Sequence, residues 1–307
     1  MPFGHCLTAA LGKIERRIDM ANTIFVSGAT GNIGKEIVKQ LIEKGVHVRA
    51  GVHSEQKAGI LKELGAEVVP IDLNDVKSIQ TILEGVEKAF SLSPLVPNLA
   101  EQSANFVKAA KLAGVKHIVR ASGMGADSPQ AITLGRWHRE AEKAVEASGI
   151  PYTIVRPNSF MQNYVNFTGH TIKNQNAFYL PQGDGKISLI DVRDIATVIS
   201  ILLTESGHEG KAYNLTGAEA ISNYKIAEIL SEITGRTINY IDVPAEAARQ
   251  SMKDMGMPDV IVETLLELSA IIKAGYTSDV SPAIEQITGK QPISFRQFTK
   301  DNIQFFK

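Results

Sequence analysis

Residues 23–34 read Thr-Ile-Phe-Val-Ser-Gly-Ala-Thr-Gly-Asn-Ile-Gly, and they restrict the fold more than any other stretch of the 307-residue chain. The apolar run 24–26 reads as a buried strand. Gly28, Gly31 and Gly34 follow at three-residue spacing, and Ile33, Ile37, Val38, Leu41 and Ile42 then recur with helical period. Strand, glycine turn and helix in that order describe a phosphate-binding βα unit. Gly28 is expected to make the sharp turn, Gly31 to leave room for a pyrophosphate, and Gly34 to let the helix approach the strand. Thr30, Asn32 and Ile33 complete the turn, whose free backbone N–H groups would face the anion. The spacing is G-x-x-G-x-x-G and not the G-x-G-x-x-G of many dehydrogenases, so strand and helix context carry the inference. The competing reading is a tight turn that binds nothing.

Beyond the turn, strand-like and helix-like segments alternate. Strands are expected at 45–52, 66–71, 88–92, 115–121 and 152–156, the last stopped by Pro157, with helices at 76–83, 100–113 and 137–148 between them. Such alternation predicts a parallel sheet covered on both faces, a Rossmann-type doubly wound α/β fold. Residues 158–185 are polar and weakly periodic. A short strand is expected at 187–190, a helix capped by Asp191 at 192–204, and a seventh sheet strand at 211–215. Ser222 is placed to cap a helix at 223–234 that Gly235 ends; a strand at 238–243 and helices at 245–255, 260–272 and 295–306 follow. The domain reading is a tail at 1–19, disordered or loosely helical, a dinucleotide-binding core at 20–157, and a small C-terminal α/β substrate lobe at 158–307. In that reading, residues 187–215 return to the core sheet.

The tip of the second strand normally meets the adenosine ribose, where a carboxylate favours NAD and a cation favours the 2′-phosphate of NADP. Here the tip is His53-Ser54, with Lys57 one turn on and Arg49 inside the strand, so NADP is the expected cofactor and NAD the alternative. Asp72, followed by Leu73, ends the third strand and can accept from the adenine amino group; its competing role is to cap the helix at 76–83.

A net charge of -1 provides no field for nucleic acid or an anionic membrane. No apolar run is long enough to cross a bilayer. The lone Cys6 excludes an internal disulfide and fits a cytoplasmic setting. No His/Cys/Glu spacing suggests a metal site and no G-x-S-x-G elbow suggests a hydrolase. A small-molecule substrate, and a monomer or homodimer, are the expected partnerships.

Three blocks carry a resemblance: the glycine turn at 27–34, Ser-Gly-Ile-Pro-Tyr-Thr-Ile-Val-Arg-Pro at 148–157, and Asn-Ser-Phe-Met-Gln-Asn at 158–163. From about residue 21 the chain resembles the NmrA-like branch of atypical short-chain dehydrogenases/reductases. That family binds NAD(P) on a Rossmann fold and includes quinone and dye reductases as well as cofactor-binding co-regulators. The resemblance implies that Ser91, Leu92, Ser93 and Pro94, Ser122, and Pro157, Asn158 and Ser159 lie near the ribose and nicotinamide. The family often carries arginine at the second-strand tip, where this chain has His53, which leaves NAD open.

Standard short-chain dehydrogenases protonate with the tyrosine of Tyr-x-x-x-Lys. At the matching helix this chain reads Trp137-His-Arg-Glu-Ala-Glu142, so His138 and Glu142 take the two places. The acid is missing, and two readings follow. Hydride could pass to an electrophile that needs little acid help, such as a quinone or a cationic conjugated dye, with His138 donating a proton or stacking. Alternatively the protein binds NAD(P) and acts as a redox-sensing regulator without chemistry. Phe160, Gln162 and Tyr164, with Phe167, are candidates for the substrate wall, although aromatics at a lobe boundary also serve as core. Met161, Met252, Met255 and Met257 could add an adaptable apolar surface. Glu142, paired with Arg139 or Lys143, reads as solvated helix surface, and Asp191 and Asp194 as a local ion pair around Arg193.

Overall fold

A computed structural model describes residues 23–54, 56 and 58–307; the expected tail at 1–19 and Lys57 lie outside the described residues. Seven strands form one parallel sheet in the spatial order β3-β2-β1-β4-β5-β6-β9. They are β1 (Thr23–Val26), β2 (Val48–Val52), β3 (Glu67–Pro70), β4 (Val86–Ser91), β5 (His117–Ala121), β6 (Tyr152–Pro157) and β9 (Lys211–Leu215). This is the doubly wound Rossmann arrangement. The chain direction across the sheet reverses between β1 and β4, so a crevice opens beyond their C-terminal ends. The glycine turn leaves β1 at that crevice.

Both sheet faces are covered because strand residues alternate between two apolar layers. Ile24, Val26, Val119 and Val155 pack under helices α1 (Asn32–Glu43) and α8 (Val192–Thr204). Phe25, Ala89 and Ile118 pack under α3 (Val76–Ile82), α4 (Leu99–Ala113) and α5 (Thr133–Glu146). The residue types at 24–26 therefore serve both layers, which explains an apolar run without alternation. Gly51 is needed for this packing: a Cβ there would lie 2.5 Å from Cζ of Phe25.

A third core lies in the C-terminal lobe, around Met161, Phe178, Leu230, Tyr240, Phe295, Phe298 and Phe306. The stretch 158–185 is more ordered than its polarity suggests. It holds two short helices, α6 (Gln162–Asn166) and α7 (Gly169–Gln175), and strand β7 (Ala177–Leu180). That strand pairs in parallel with β11 (Asn239–Asp242), a partner some sixty residues away that no local periodicity announces. The short strand expected at 187–190 is only β8 (Lys186–Ile187), paired with β10 (Ile221–Ser222), while Ile190 bridges Phe160. Helices α9 (Asn223–Thr234), α10 (Ala245–Asp254) and α11 (Asp259–Lys273) lie close to their expected places. Helix α12 (Ala283–Thr288) was not foreseen, and the last expected helix is α13 (Phe295–Asp301) followed by a 3-10 turn at Ile303–Phe305. Among the described residues, no helix is long and apolar enough to cross a membrane.

One half-buried carboxylate ties the lobe to α8. Asp194 accepts from the Ile293 N–H at 2.8 Å, and burial, reinforced by the charge of Asp191 and opposed by that N–H and by Arg193, pushes it up to about 6 from 3.8. A carboxyl that titrates higher folded than unfolded contributes its stability below pH 3.8 and loses it as pH rises through 6. Asp194→Asn removes that loss. In urea denaturation the variant should gain on the parent by on the order of 1–2 kcal/mol between pH 4 and pH 8; a difference independent of pH would contradict this.

Candidate cofactor and acceptor site

The glycine turn is bolted to its neighbours by backbone. Ala29 N–H donates to Gly51 O and Ser27 N–H to Phe90 O, while the Ser27 hydroxyl donates to Leu92 O at 2.8 Å. Gly28 has φ +63°, a left-handed turn that a side chain would strain. A Cβ on Gly34 would lie 2.2 Å from Gly28 O and 2.7 Å from Ala29 Cα, so this glycine is demanded by helix–turn contact. Gly31 differs: its Cβ would meet only Gly28 O, at 3.2 Å, and the residue is exposed. Gly31 is also the N-cap of α1, which has no side-chain cap and no acid in its first turn. Helices α3, α8, α9 and α13 carry a capping Asp or Ser, whereas α1, like α4, α10 and α11, has none. The first N–H groups of α1 at Asn32 and Ile33 therefore point outward uncapped, with Thr30 beside them, and this arrangement fits a pyrophosphate. A cavity of about 280 Å³ opens beside this turn, lined by Asn32, Lys35, Gln162, Arg193, Asp301 and Asn302 among others.

His53 is exposed at the tip of β2. Arg49 is committed elsewhere, in an ion pair with Glu67 at 2.9 Å and donating to Ile82 O and Glu84 O. Asp72 lies across from the tip, since Ile71 N–H donates to Val52 O. Its capping alternative is corrected: Asp75 caps α3, accepting from Lys77 and Ser78 N–H. Asp72 Oδ1 instead accepts from the N–H and Nδ2 of Asn74, an Asx turn that holds its carboxyl below the usual range, with a smaller pull from His53. Leu73 O accepts from Asn105, fixing the loop that carries both residues.

Beyond the carboxyl ends of β4, β5 and β6, Ser91, Ser93, Ser122, Pro157 and Asn158 come together as a buried rim, with half-buried Leu92 against Gly28.

These features match a known group. Residues 20–298 match the NmrA-like family. The chain belongs to the NmrA-like family. It is 38% identical over 283 residues to an NAD(P)H azoreductase of Xenophilus azovorans, covering 92% of this chain and 99% of that one. It is 30% identical over 269 residues to quinone oxidoreductase 2 of Escherichia coli strain K12, covering 87% and 93%. The solved Citrobacter triphenylmethane reductase superposes with a TM-score of 0.82 at 29% identity, over 92% of this chain and 99% of that chain.

In this NmrA-like protein, helix α5 carries His138 and Glu142 four residues apart, both turned to the sheet. The reading of Glu142 as solvated surface is corrected: it is 0% exposed. Arg156 Nε and Nη2 donate to its two oxygens, each at 2.8 Å; Ser122 Oγ donates at 2.6 Å and Arg139 Nη1 at 2.9 Å. Burial alone would raise the Glu142 carboxyl, but Arg156, Ser122 and Arg139 together hold it below the usual range. Ser122 is thereby also occupied.

His138 lies against Gly123, whose Cβ would be 3.1 Å from Cδ2 of the imidazole, and its Nδ1 is buried without a partner. Burial, with the charge of Arg120 added and Glu142 opposing, pushes the ring down to about 3. His138 is therefore neutral at ordinary pH. It can hydrogen-bond or stack, but as a proton-donating imidazolium it is corrected by its own surroundings.

The expected substrate wall is only partly assembled. Tyr164 is corrected: it is buried in the C-terminal core, edge-on to Phe178 and Phe295, and its hydroxyl donates to Asn223 Oδ1 at 2.6 Å. Asn158 staples the lobe, donating from Nδ2 to Ser188 Oγ and Thr277 O while Oδ1 accepts from Ser159 N–H, so its side chain is not free for a ligand. Gln162 donates to Asp191 and accepts from Val192 N–H, yet still lines the 280 Å³ cavity. Phe160 is half-buried against the α1 and α8 layer. Met161 is buried in the lobe core, whereas Met255 is exposed.

Two residues escaped the sequence reading. Glu267 of α11 accepts from the Thr133 N–H at 2.7 Å and hydroxyl at 3.1 Å, capping α5 from the other lobe; nothing local in sequence signals such a contact. Arg120 had a signal: a cation inside the otherwise buried strand at 117–121.

Proposed function

We propose that this protein is an NAD(P)H-dependent oxidoreductase that reduces a quinone or a similar conjugated electrophile, without the tyrosine–lysine acid of standard short-chain dehydrogenases. The observation that carries the reading is the uncapped N-terminus of α1 behind Gly31, set at the reversal point of the sheet. Support comes from a relative named as an NAD(P)H azoreductase and another named as a quinone oxidoreductase, and from a solved triphenylmethane reductase complexed with NADP(H), 29% identical.

When bound, NAD(P)H supplies a hydride. The glycine turn would hold the pyrophosphate on the N–H groups of Asn32 and Ile33, His53 and Asp72 would border the adenosine, and the rim from Ser91 to Leu92 with Ser122 would border the nicotinamide. The residues around that rim contain no ready acid. Glu142 is ionised and saturated with donors, Ser122 is bonded to it, and His138 is neutral. Such a site suits an acceptor whose reduced anion is weakly basic and can take its proton from water, as a hydroquinone does. NADPH is the expected preference, with NADH second.

Titration of both cofactors followed by an acceptor panel of naphthoquinones, an azo dye and a triphenylmethane dye tests this. NADPH should bind more tightly and be oxidised with at least one quinone. The missing acid keeps a second reading alive, a cofactor-binding regulator. Tight NAD(P)H binding with no turnover on any acceptor would select it and end the first.

A further inference from the structure

The side chain of Arg120 is enclosed by the fold without being satisfied by it. It is 0% exposed and shares with Ile118 the sheet face covered by α4 and α5. One N–H, from Nη1, reaches Ser91 O at 3.0 Å, at the end of β4 where the nicotinamide rim begins. Nε and Nη2 have no partner among the described residues. Among the described residues no carboxylate forms an ion pair with it; Glu142, whose charge acts on it, is bonded to Arg156, Arg139 and Ser122. Other polar groups buried in this layer without partners are Nδ1 of His138, Oε1 of Gln102 and Oγ of Ser103.

Folding alone gives no reason to keep such a charge. A buried guanidinium with two unpartnered donor nitrogens costs stability, and an apolar side chain of similar size would be neutral or better. Burial lowers its pKa to about 10, so it remains a cation at neutral pH. Unpaired charge in a dry layer acts over a longer range than charge in water, because little screens it. It lies under the ends of the two strands whose loops, Ser91–Ser93 and Ser122–Gly123, border the nicotinamide, and so the point of hydride transfer, in the proposed reaction.

We propose that Arg120 is a positioning residue for that reaction: its fixed positive charge beneath the rim stabilises the negative charge that collects on the acceptor. The inference rests on the oxidoreductase reading. Uptake of one hydride, two electrons with one hydrogen, from the reduced cofactor converts a quinone to its hydroquinone monoanion, which takes its second proton from water. A preorganised charge stabilises that anion where no residue can protonate it. Arg120 thus supplies by field what the absent tyrosine supplies by proton transfer.

The test compares Arg120→Met and Arg120→Lys with the parent protein. Arg120→Met should leave NADPH affinity within about threefold and lower single-turnover reduction of a naphthoquinone at least tenfold, with thermal stability unchanged or raised. Arg120→Lys, which keeps the charge, should recover most of the rate. A readout without turnover is 4-nitrophenol titrated into the NADP⁺-loaded protein. The bound phenol should ionise at a pH lower by about one unit in the parent than in Arg120→Met, a tenfold preference for the phenolate. Equal rates and equal phenol titrations in parent and Arg120→Met would overturn the inference while leaving the oxidoreductase reading intact. If Arg120→Met fails to fold, Arg120→Gln replaces it as the uncharged variant, and Arg120→Lys no faster than Arg120→Gln would overturn the inference in favour of a purely structural arginine. A parent that turns over no acceptor would remove the oxidoreductase reading and this inference with it.

Discussion

Gly31→Val should abolish NADPH binding while the protein remains folded. The expected loss is at least ~100-fold in Kd, because a branched side chain at the N-cap occupies the space a pyrophosphate must enter and screens the N–H groups behind it. Geometry separates this effect from misfolding. At Gly31 a Cβ meets only Gly28 O at 3.2 Å, and φ is -78°, a value open to any residue. At Gly34 the same atom would be 2.2 Å from Gly28 O, so Gly34→Val should lose fold and binding together. Calorimetric titration with NADPH, set beside the thermal midpoint of each variant, reads the difference. Binding retained by a folded Gly31→Val protein would show that the phosphates lie elsewhere.

Glu142→Ala should destabilise the protein by about 3–5 kcal/mol, the cost of stranding a buried partner charge. The stranded group is Arg156, which gives Glu142 two hydrogen bonds and retains only Asp127, itself half exposed, as an ion partner. Ser122 also loses its acceptor. The pH dependence has a definite sign. The Glu142 carboxyl titrates below its ordinary 4.5 when folded, so its contribution is present above pH 4.5 and disappears as pH falls through its lower folded value. Parent and Glu142→Ala stabilities from urea melts should therefore converge on acidification. A second substitution separates the pair from the charge: Glu142→Leu with Arg156→Met should recover much of the loss. A single Glu142→Ala that costs less than ~1 kcal/mol would mean that the network is slack.

Both predictions fall on features that the sequence announced with very different clarity. The glycine turn was legible because its physics is local. Strand, turn and helix are consecutive, and Gly31 and Gly34 answer to Gly28 and Ala29 within six residues. The alternation of strands and helices was legible for a similar reason, since burial on both sheet faces imposes apolar runs that do not depend on a particular partner. The helix at 137–148 was also visible, but the environment of its face was not. Glu142 looks like half of an ordinary i, i+3 surface pair with Arg139, a pairing that does exist. It is buried because Arg156 arrives from β6, fourteen residues on, with a second cation.

The same holds for the acceptor side. Tyr164 was a sound candidate for a substrate wall by composition, and Asn223, fifty-nine residues later, turned it into core. Asn158 was placed correctly at the end of β6 but is held by Ser188 and Thr277. Lys57 lies outside the described residues, and Arg49 is spent on Glu67, so the cation expected beside the ribose rests on His53.

By itself the sequence determined the doubly wound sheet, the glycine turn and the family, because these depend on short-range sterics and periodic burial. Tertiary structure alone decided which polar side chains remain available for chemistry. Hydrogen bonds and desolvation act through space, between residues fourteen to a hundred and more positions apart, and they neutralised His138, saturated Glu142, and left Arg120 charged and unpaired beneath the rim.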